Sequence, residues 1–251
     1  MGIFDLLSKE GRDKKALEKY IKRATDKIGK SADDRLPAME KLREIGSEEA
    51  IYGLCRRFGF VYDKSQEDEY EKRWVEDALT DFGDKALPSL RRFILAGESL
   101  SYPLKVLEKI ADPPKVLEIV DEVMAREEPG YTRHPEKKIQ LLTWLGEWRE
   151  AAPADNTRRM VPYLKDFDET VRFTAIDALA HARPDEDTTR EPMIAALLRP
   201  EEESRRILVR IAEVLAERGW AAPGEAVAKL VAAKLPEFTL SKDGKLVRKP
   251  R

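Results

Sequence analysis

The sequence predicts an all-α fold, a stack of about six two-helix hairpins followed by a short non-helical tail. Three observations carry this. A five-residue mark recurs along the chain at a near-constant interval. Between marks, apolar residues recur at a spacing near 3.6, as at Val171, Ala175, Ala178 and Leu179. Residues 1–235 contain no pair of long runs with the alternation that a half-buried strand needs.

The mark is a Leu, two variable residues, a mostly apolar residue, then Gly or a substitute. It reads Leu42-Arg-Glu-Ile-Gly46, Leu79-Thr-Asp-Phe-Gly83, Leu107-Glu-Lys-Ile-Ala111 and Leu142-Thr-Trp-Leu-Gly146. Degenerate copies stand at Leu179-Ala-His-Ala-Arg183 and Leu215-Ala-Glu-Arg-Gly219. The leading leucines are separated by 37, 28, 35, 37 and 36 residues, an interval that belongs to helical-repeat architectures.

Each mark reads as a helix end, because Gly adopts the left-handed backbone that satisfies the last carbonyls. Fresh helix starts follow at Ser47-Glu48-Glu49, at Asp84 with Pro88, at Asp112-Pro113 and at Asp155-Asn156. Residues 1–30 form a capping helix, since a repeat stack must close its exposed end. The 28-residue interval implies a shortened hairpin. Residues 59–70 read as a longer loop, and Glu127 to Pro135, with Pro129-Gly130, as a second. The helical array is expected to be a single domain over 1–235. In the remainder, 236–251, Asp243-Gly244 separates two short β-prone runs, which leaves a small β-hairpin and a basic tail as the alternatives.

The segment Met160-Val-Pro-Tyr-Leu-Lys-Asp166-Phe-Asp168-Glu-Thr-Val171-Arg172-Phe-Thr-Ala175-Ile-Asp-Ala178-Leu179 resembles a HEAT repeat. It has a Pro in the first helix, an Asp in the turn and Val-Arg opening the second helix. Ala86 to Leu90 and Arg35 to Met39 are weaker copies of a first and a second helix. The resemblance implies a right-handed α-solenoid of the HEAT-like, armadillo-type kind, with second helices lining a concave side. It also implies that Asp166 and Arg172 form a structural ladder between repeats, with Arg35 and Lys72 at the matching position seven before the mark.

Composition narrows the function classes. Hydrophobic residues make up 42% and charged residues 37%, as suits an elongated helical protein with a real core. The net charge of −2 speaks against a general nucleic-acid binder. That charge is uneven: residues 1–30 and 241–251 each carry +4, leaving −10 between them. One cysteine, Cys55, sits in an apolar stretch and reads as a packed thiol in a reducing compartment. No apolar run is long enough to span a membrane, and no signal or myristoylation pattern stands at the N-terminus. A cytoplasmic protein is the expectation. Ile3, Phe4, Leu6 and Leu7 with later lysines could make an interfacial helix, but capping the stack is the simpler role.

Catalysis needs converging groups, and the sequence offers few. The histidines are His134, beside Pro135, and His181, at a helix end. Neither has metal-ligand spacing, and neither precedes Glu as the iron-binding HEAT hydroxylases require. There is no phosphate-binding Gly loop, nucleophile elbow or paired-cysteine motif. No cofactor, metal or active site is therefore expected.

Positions −5, −2 and +2 from each mark leucine lie opposite the buried stripe. They read Pro37/Glu40/Glu44, Trp74/Asp77/Asp81, Tyr102/Lys105/Lys109, Lys137/Gln140/Trp144, Thr174/Asp177/His181 and Arg210/Glu213/Glu217. Three large aromatics on an otherwise polar face are what protein-binding hot spots are made of. The expected partner-binding residues are Trp74, Asp77, Tyr102, Lys105, Lys109, Lys137, Gln140 and Trp144; Trp148 and Trp220 read as core. The leading expectation is a non-enzymatic scaffold or adaptor that holds a partner protein or peptide on its concave face, with no small-molecule substrate. The alternatives are a HEAT-like lyase of the bilin-lyase type and, behind it, a nucleic-acid-binding helical-repeat protein.

Overall fold

The computed structural model describes residues 3–26, 32–97, 99–151, 153–182 and 186–250. Arg183, the last residue of the degenerate fifth mark, lies outside them. The described chain is all-α apart from one two-stranded sheet near its C-terminus. It divides into two compact units, Met1–Arg126 and Glu127–Arg251.

The first unit contains α1 (Ile3–Ala24), α2 (Ala32–Ile45), α3 (Glu48–Cys55), α4 (Ser65–Phe82), α5 (Leu87–Ala96), α6 (Ser101–Ile110) and α7 (Pro113–Met124). The long helix α1 packs on α2 and α3, and the rest stack as hairpins, α3 on α5 and α4 on α6. The predicted loop at 59–70 is shorter than expected. A 3-10 turn over Arg56–Gly59 leads through Phe60–Lys64 into α4, so residues 65–70 are already helical. Ser47 and Asp112 cap α3 and α7 as predicted, their side chains accepting from the Ala50 and Lys115 amides. Asp84 is not a cap: it lies in a 3-10 turn, and α5 starts after Ala86 with Pro88 in its first turn.

The second unit contains α8 (Glu136–Glu147), α9 (Pro153–Met160), α10 (Glu169–His181), α11 (Glu186–Leu197), α12 (Arg205–Arg218), α13 (Glu225–Lys234), β1 (Phe238–Leu240) and β2 (Leu246–Arg248). Helix α10 packs most extensively on α8 and also on α12. Asp155 and Asn156 fall inside α9, which begins at Pro153. After Met160 the backbone tightens into a 3-10 turn over Val161–Lys165, where Pro162 has no N–H to continue the α-helix. The strands pair antiparallel, Phe238 opposite Arg248, with Phe238 and Leu246 buried. Between the two alternatives for the tail, the hairpin is the one observed, and it lies against α12 and α13.

Gly46 and Gly219 end their helices with φ of 56° and 66°, the left-handed conformation the mark requires. Gly146 does something else. It lies inside α8, and an added Cβ would sit 2.8 Å from Ala178 Cα, so glycine is there to let α10 approach.

Both units bury charge. Arg57 and Arg35 are fully buried, and both donate to the equally buried Glu71. Arg57 also bonds Asp68 at 2.6 Å, and Lys72 bonds the other oxygen of Asp68 at 2.7 Å. In the second unit, Asp166 accepts from Lys138 at 2.8 Å, while Arg172 pairs with Glu202 at 2.8 Å and donates to the Asp166 carbonyl at 3.1 Å.

Candidate functional site

In the second unit, helices α8, α10 and α12 run side by side and leave a groove between them. One cavity of about 370 Å³ is lined from α8 by Thr143, Gly146 and Glu147, from α10 by Phe173, Thr174, Asp177 and His181, and from α12 by Arg206. A second, of about 430 Å³, adjoins it and shares Phe173 and Arg206, with Val209, Arg210 and Glu213 on its other side. Both volumes are in the range of small-molecule sites. The close packing of Gly146 on Ala178 sets the floor: any side chain at 146 would push α8 and α10 apart.

The charges here are unequally satisfied. Arg205 is paired with Glu237, and Arg210 with Asp177 at 2.6 Å and, at longer range, with Glu213. Arg206, between them in sequence, makes no ion pair among the described residues. Its guanidinium lies 3.6 Å from the centroid of the Phe173 ring, held in a cation–π contact with its donors uncommitted. Glu147 likewise has no partner among the described residues and is exposed to the cavity.

His181 closes the other end. Its Nδ1 lies 2.8 Å from the Asp177 carbonyl oxygen, which can only accept, so Nδ1 carries the proton and donates. In the neutral ring this leaves Nε2 as a proton acceptor. The cavity thus gathers one anchored cation, two carboxylates (Glu147, and Asp177 already paired with Arg210), one oriented imidazole and the hydroxyls of Thr143 and Thr174; the Thr143 hydroxyl donates to the Ile139 carbonyl and the Thr174 hydroxyl to the Thr170 carbonyl. In a third cavity, of about 630 Å³ in the first unit, Asp112 caps α7 and Lys115 pairs with Glu118, which leaves Asp84 as the lining carboxylate with no partner among the described residues.

No family model and no curated protein matches this chain. It is similar to a solved structure of human deoxyhypusine hydroxylase in complex with glycerol, at 16% identity and a TM-score of 0.31, over 88% of this chain and 95% of that one. That protein is an enzyme by name. The expectation that this chain is a non-enzymatic scaffold or adaptor, and not an enzyme, is corrected accordingly and is not carried further. At this identity and TM-score the likeness brings no reaction, substrate or metal to this chain.

The face residues read from the sequence fall in both units. Trp74 is half-buried, with the Arg43 guanidinium 6.0 Å from its ring, and Asp77 is exposed. Tyr102 stacks on Phe58 at 5.4 Å and donates from its hydroxyl to Glu69. Burial first, and then Glu69, push the phenol up to about 12. Lys105 is exposed beside the Tyr102 ring, and Lys109 pairs with Glu76 at 2.7 Å. Lys137 is not on an open face: it is buried, 3.4 Å from Glu127 in the loop that folds back before α8. Gln140 is half-buried, and Trp144 stacks on the buried Trp148 at 4.9 Å. Asp166 and Arg172 lie in the buried network of the second unit, not in the groove.

Of the groove residues, Thr174, Asp177, His181, Arg210 and Glu213 stand on the face read from the sequence, whereas Phe173, Arg206 and Glu147 escaped it. The available signal was Arg205-Arg206 followed four residues on by Arg210, three cations in just over one turn of helix. Which of them lacks a partner depends on helices far away in sequence.

Proposed function

We propose that the Glu127–Arg251 unit binds a small anionic molecule in the α8–α10–α12 groove and acts on it by proton transfer. Arg206 holds the carboxylate or phosphate, Phe173 supplies an apolar platform beside it, and His181 Nε2 and Glu147 exchange the proton. The observation that carries this reading is Arg206, stacked and uncommitted at the edge of a cavity where both neighbouring arginines are neutralised. A cation held in one orientation by a ring binds an anion better than a freely moving one, and a guanidinium does so in bidentate fashion. An oriented imidazole and a carboxylate on the same cavity are the usual means of general acid–base catalysis. We read the hairpins that build the groove as HEAT-like, on the motif from Met160 to Leu179.

The test is thermal unfolding of the full chain with inorganic phosphate or glutarate, beside Arg206→Ala. Either anion is expected to raise the midpoint of wild type and to leave the variant unmoved. Equal shifts in both proteins, or none in either, would contradict the site. Turnover found in a screen of phosphorylated and carboxylated small molecules is expected to disappear in His181→Gln while anion binding persists.

A further inference from the structure

The second unit displays two large aromatic rings where folding has no use for them. Tyr131, in the loop before α8, is 76% exposed, and Phe167, in the turn before α10, is 70% exposed. Their rings meet edge to face, 5.4 Å apart and 85° between planes. Neither belongs to the groove.

The pair is held from below by buried charge. Lys138 Nζ donates to the Gly130 carbonyl and to Asp166 Oδ2, both at 2.8 Å, and the Gly130 amide donates to the same oxygen at 3.1 Å. Arg172 reaches the Phe167 carbonyl at 3.0 Å. Residue 130 is therefore tied to the Lys138–Asp166 pair, whose members are 2% and 1% exposed, and residue 167 to Arg172 of the neighbouring buried pair with Glu202. Exposed rings on a backbone fixed in this way lose little freedom on binding, which is what makes an aromatic pair a hot spot.

The surroundings select the occupant. Exposed charges on the loops that carry or flank this network are mostly acidic: Glu128, Glu136, Glu169, Glu201 and Glu203, against Arg126, Arg133 and Lys165. Aromatic faces ringed by carboxylates attract a cation twice, through the ring quadrupole and through the rim. We propose that the Tyr131–Phe167 pair docks a basic polypeptide segment, with a lysine or arginine side chain lying on the rings and neighbouring cations facing the acidic rim.

The experiment is fluorescence anisotropy on the full chain, with a fluorescein-labelled peptide of alternating Lys and Pro and its Glu/Pro counterpart. The basic peptide is expected to bind in low salt and the acidic one not to. Tyr131→Ser/Phe167→Ser should weaken the basic peptide by about tenfold or more with helix content unchanged. Because the rings are exposed, folding should survive. Glu201→Lys/Glu203→Lys tests the rim with the rings intact, and a clear loss of affinity is expected there too. Arg206→Ala should leave peptide binding as it was, which separates this surface from the groove. Undiminished affinity in the double serine variant, or equal binding of the acidic peptide, would overturn the proposal.

Discussion

Replacing Glu71 by Gln removes the one negative charge that two buried arginines share. Glu71 is fully buried and accepts from Arg35 Nε at 2.9 and 3.0 Å and from Arg57 Nε at 2.5 Å. With the carboxylate neutralised, Arg57 keeps Asp68, which Lys72 already shares, and the buried Arg35 loses the charge that its Nε faces. Breaking a buried ion pair by removing one partner costs about 3–5 kcal/mol, since the remaining charge stays desolvated. The Gln carbonyl can still accept one of the bonds, which places the cost near the lower end, about 3 kcal/mol. For a chain of this size that corresponds to a fall in unfolding midpoint of roughly 6–12 °C. Differential scanning calorimetry of wild type and Glu71→Gln would measure it. A loss below about 1 kcal/mol would mean that water or relaxation reaches the network and that its burial is not what holds α2, α4 and the Arg57 turn together.

The other predictions concern packing, pH and thiol chemistry. Gly146→Ala puts a Cβ 2.8 Å from the α10 backbone; overpacking of about 1–3 kcal/mol outweighs the roughly 1 kcal/mol gained in helix propensity, so urea unfolding should show a net loss. Burial alone would raise the carboxyl of Asp68, but hydrogen bonds from Lys72, Arg57 and the Tyr62 amide override it and hold the group below its ordinary 3.8. A depressed folded value stabilises fully above 3.8 and is lost as pH falls through the lower folded value, so the gap in melting temperature between wild type and Asp68→Asn should narrow as pH falls below 3.8. Cys55 is buried, and its desolvation pushes the thiol up to about 12. An aromatic disulfide reagent at pH 8 should therefore titrate no thiol in the native protein and one after denaturation.

Much of the fold was legible because its signals are local. Gly46 and Gly219 end helices for a reason contained within five residues, and Ser47 and Asp112 cap helices through amides three residues on. Gly146 carries the same mark for a different reason, a close approach by Ala178 that no local pattern announces. The start of α4 at Ser65 was hidden by a polar, acid-rich first turn that reads equally well as loop. Asp166 and Arg172 drew notice through their motif, but Lys138 and Glu202 lie 28 and 30 residues from them, and such pairings leave no periodic trace. The aromatics Trp74, Tyr102 and Trp144 do stand at surface positions of their helices. Each is half covered by a neighbour, Arg43, Phe58 or Trp148, that only the tertiary structure supplies. The groove was legible on its α10 side and in Arg210 and Glu213 of α12, whereas Arg206, Val209 and the α8 residues stand off the face that the mark defines.

The central claim is that the α8–α10–α12 groove takes an anion at Arg206. The most direct measurement is a ¹H–¹⁵N spectrum of the full chain during titration with inorganic phosphate. The account predicts saturable movement of the Arg206 Nε–H signal and of the backbone amides of Thr143, Gly146, Thr174 and Ala178, with the Arg205 and Arg210 side chains nearly still. Movement of all three arginines alike without saturation, or shifts confined to residues outside the groove, would contradict it.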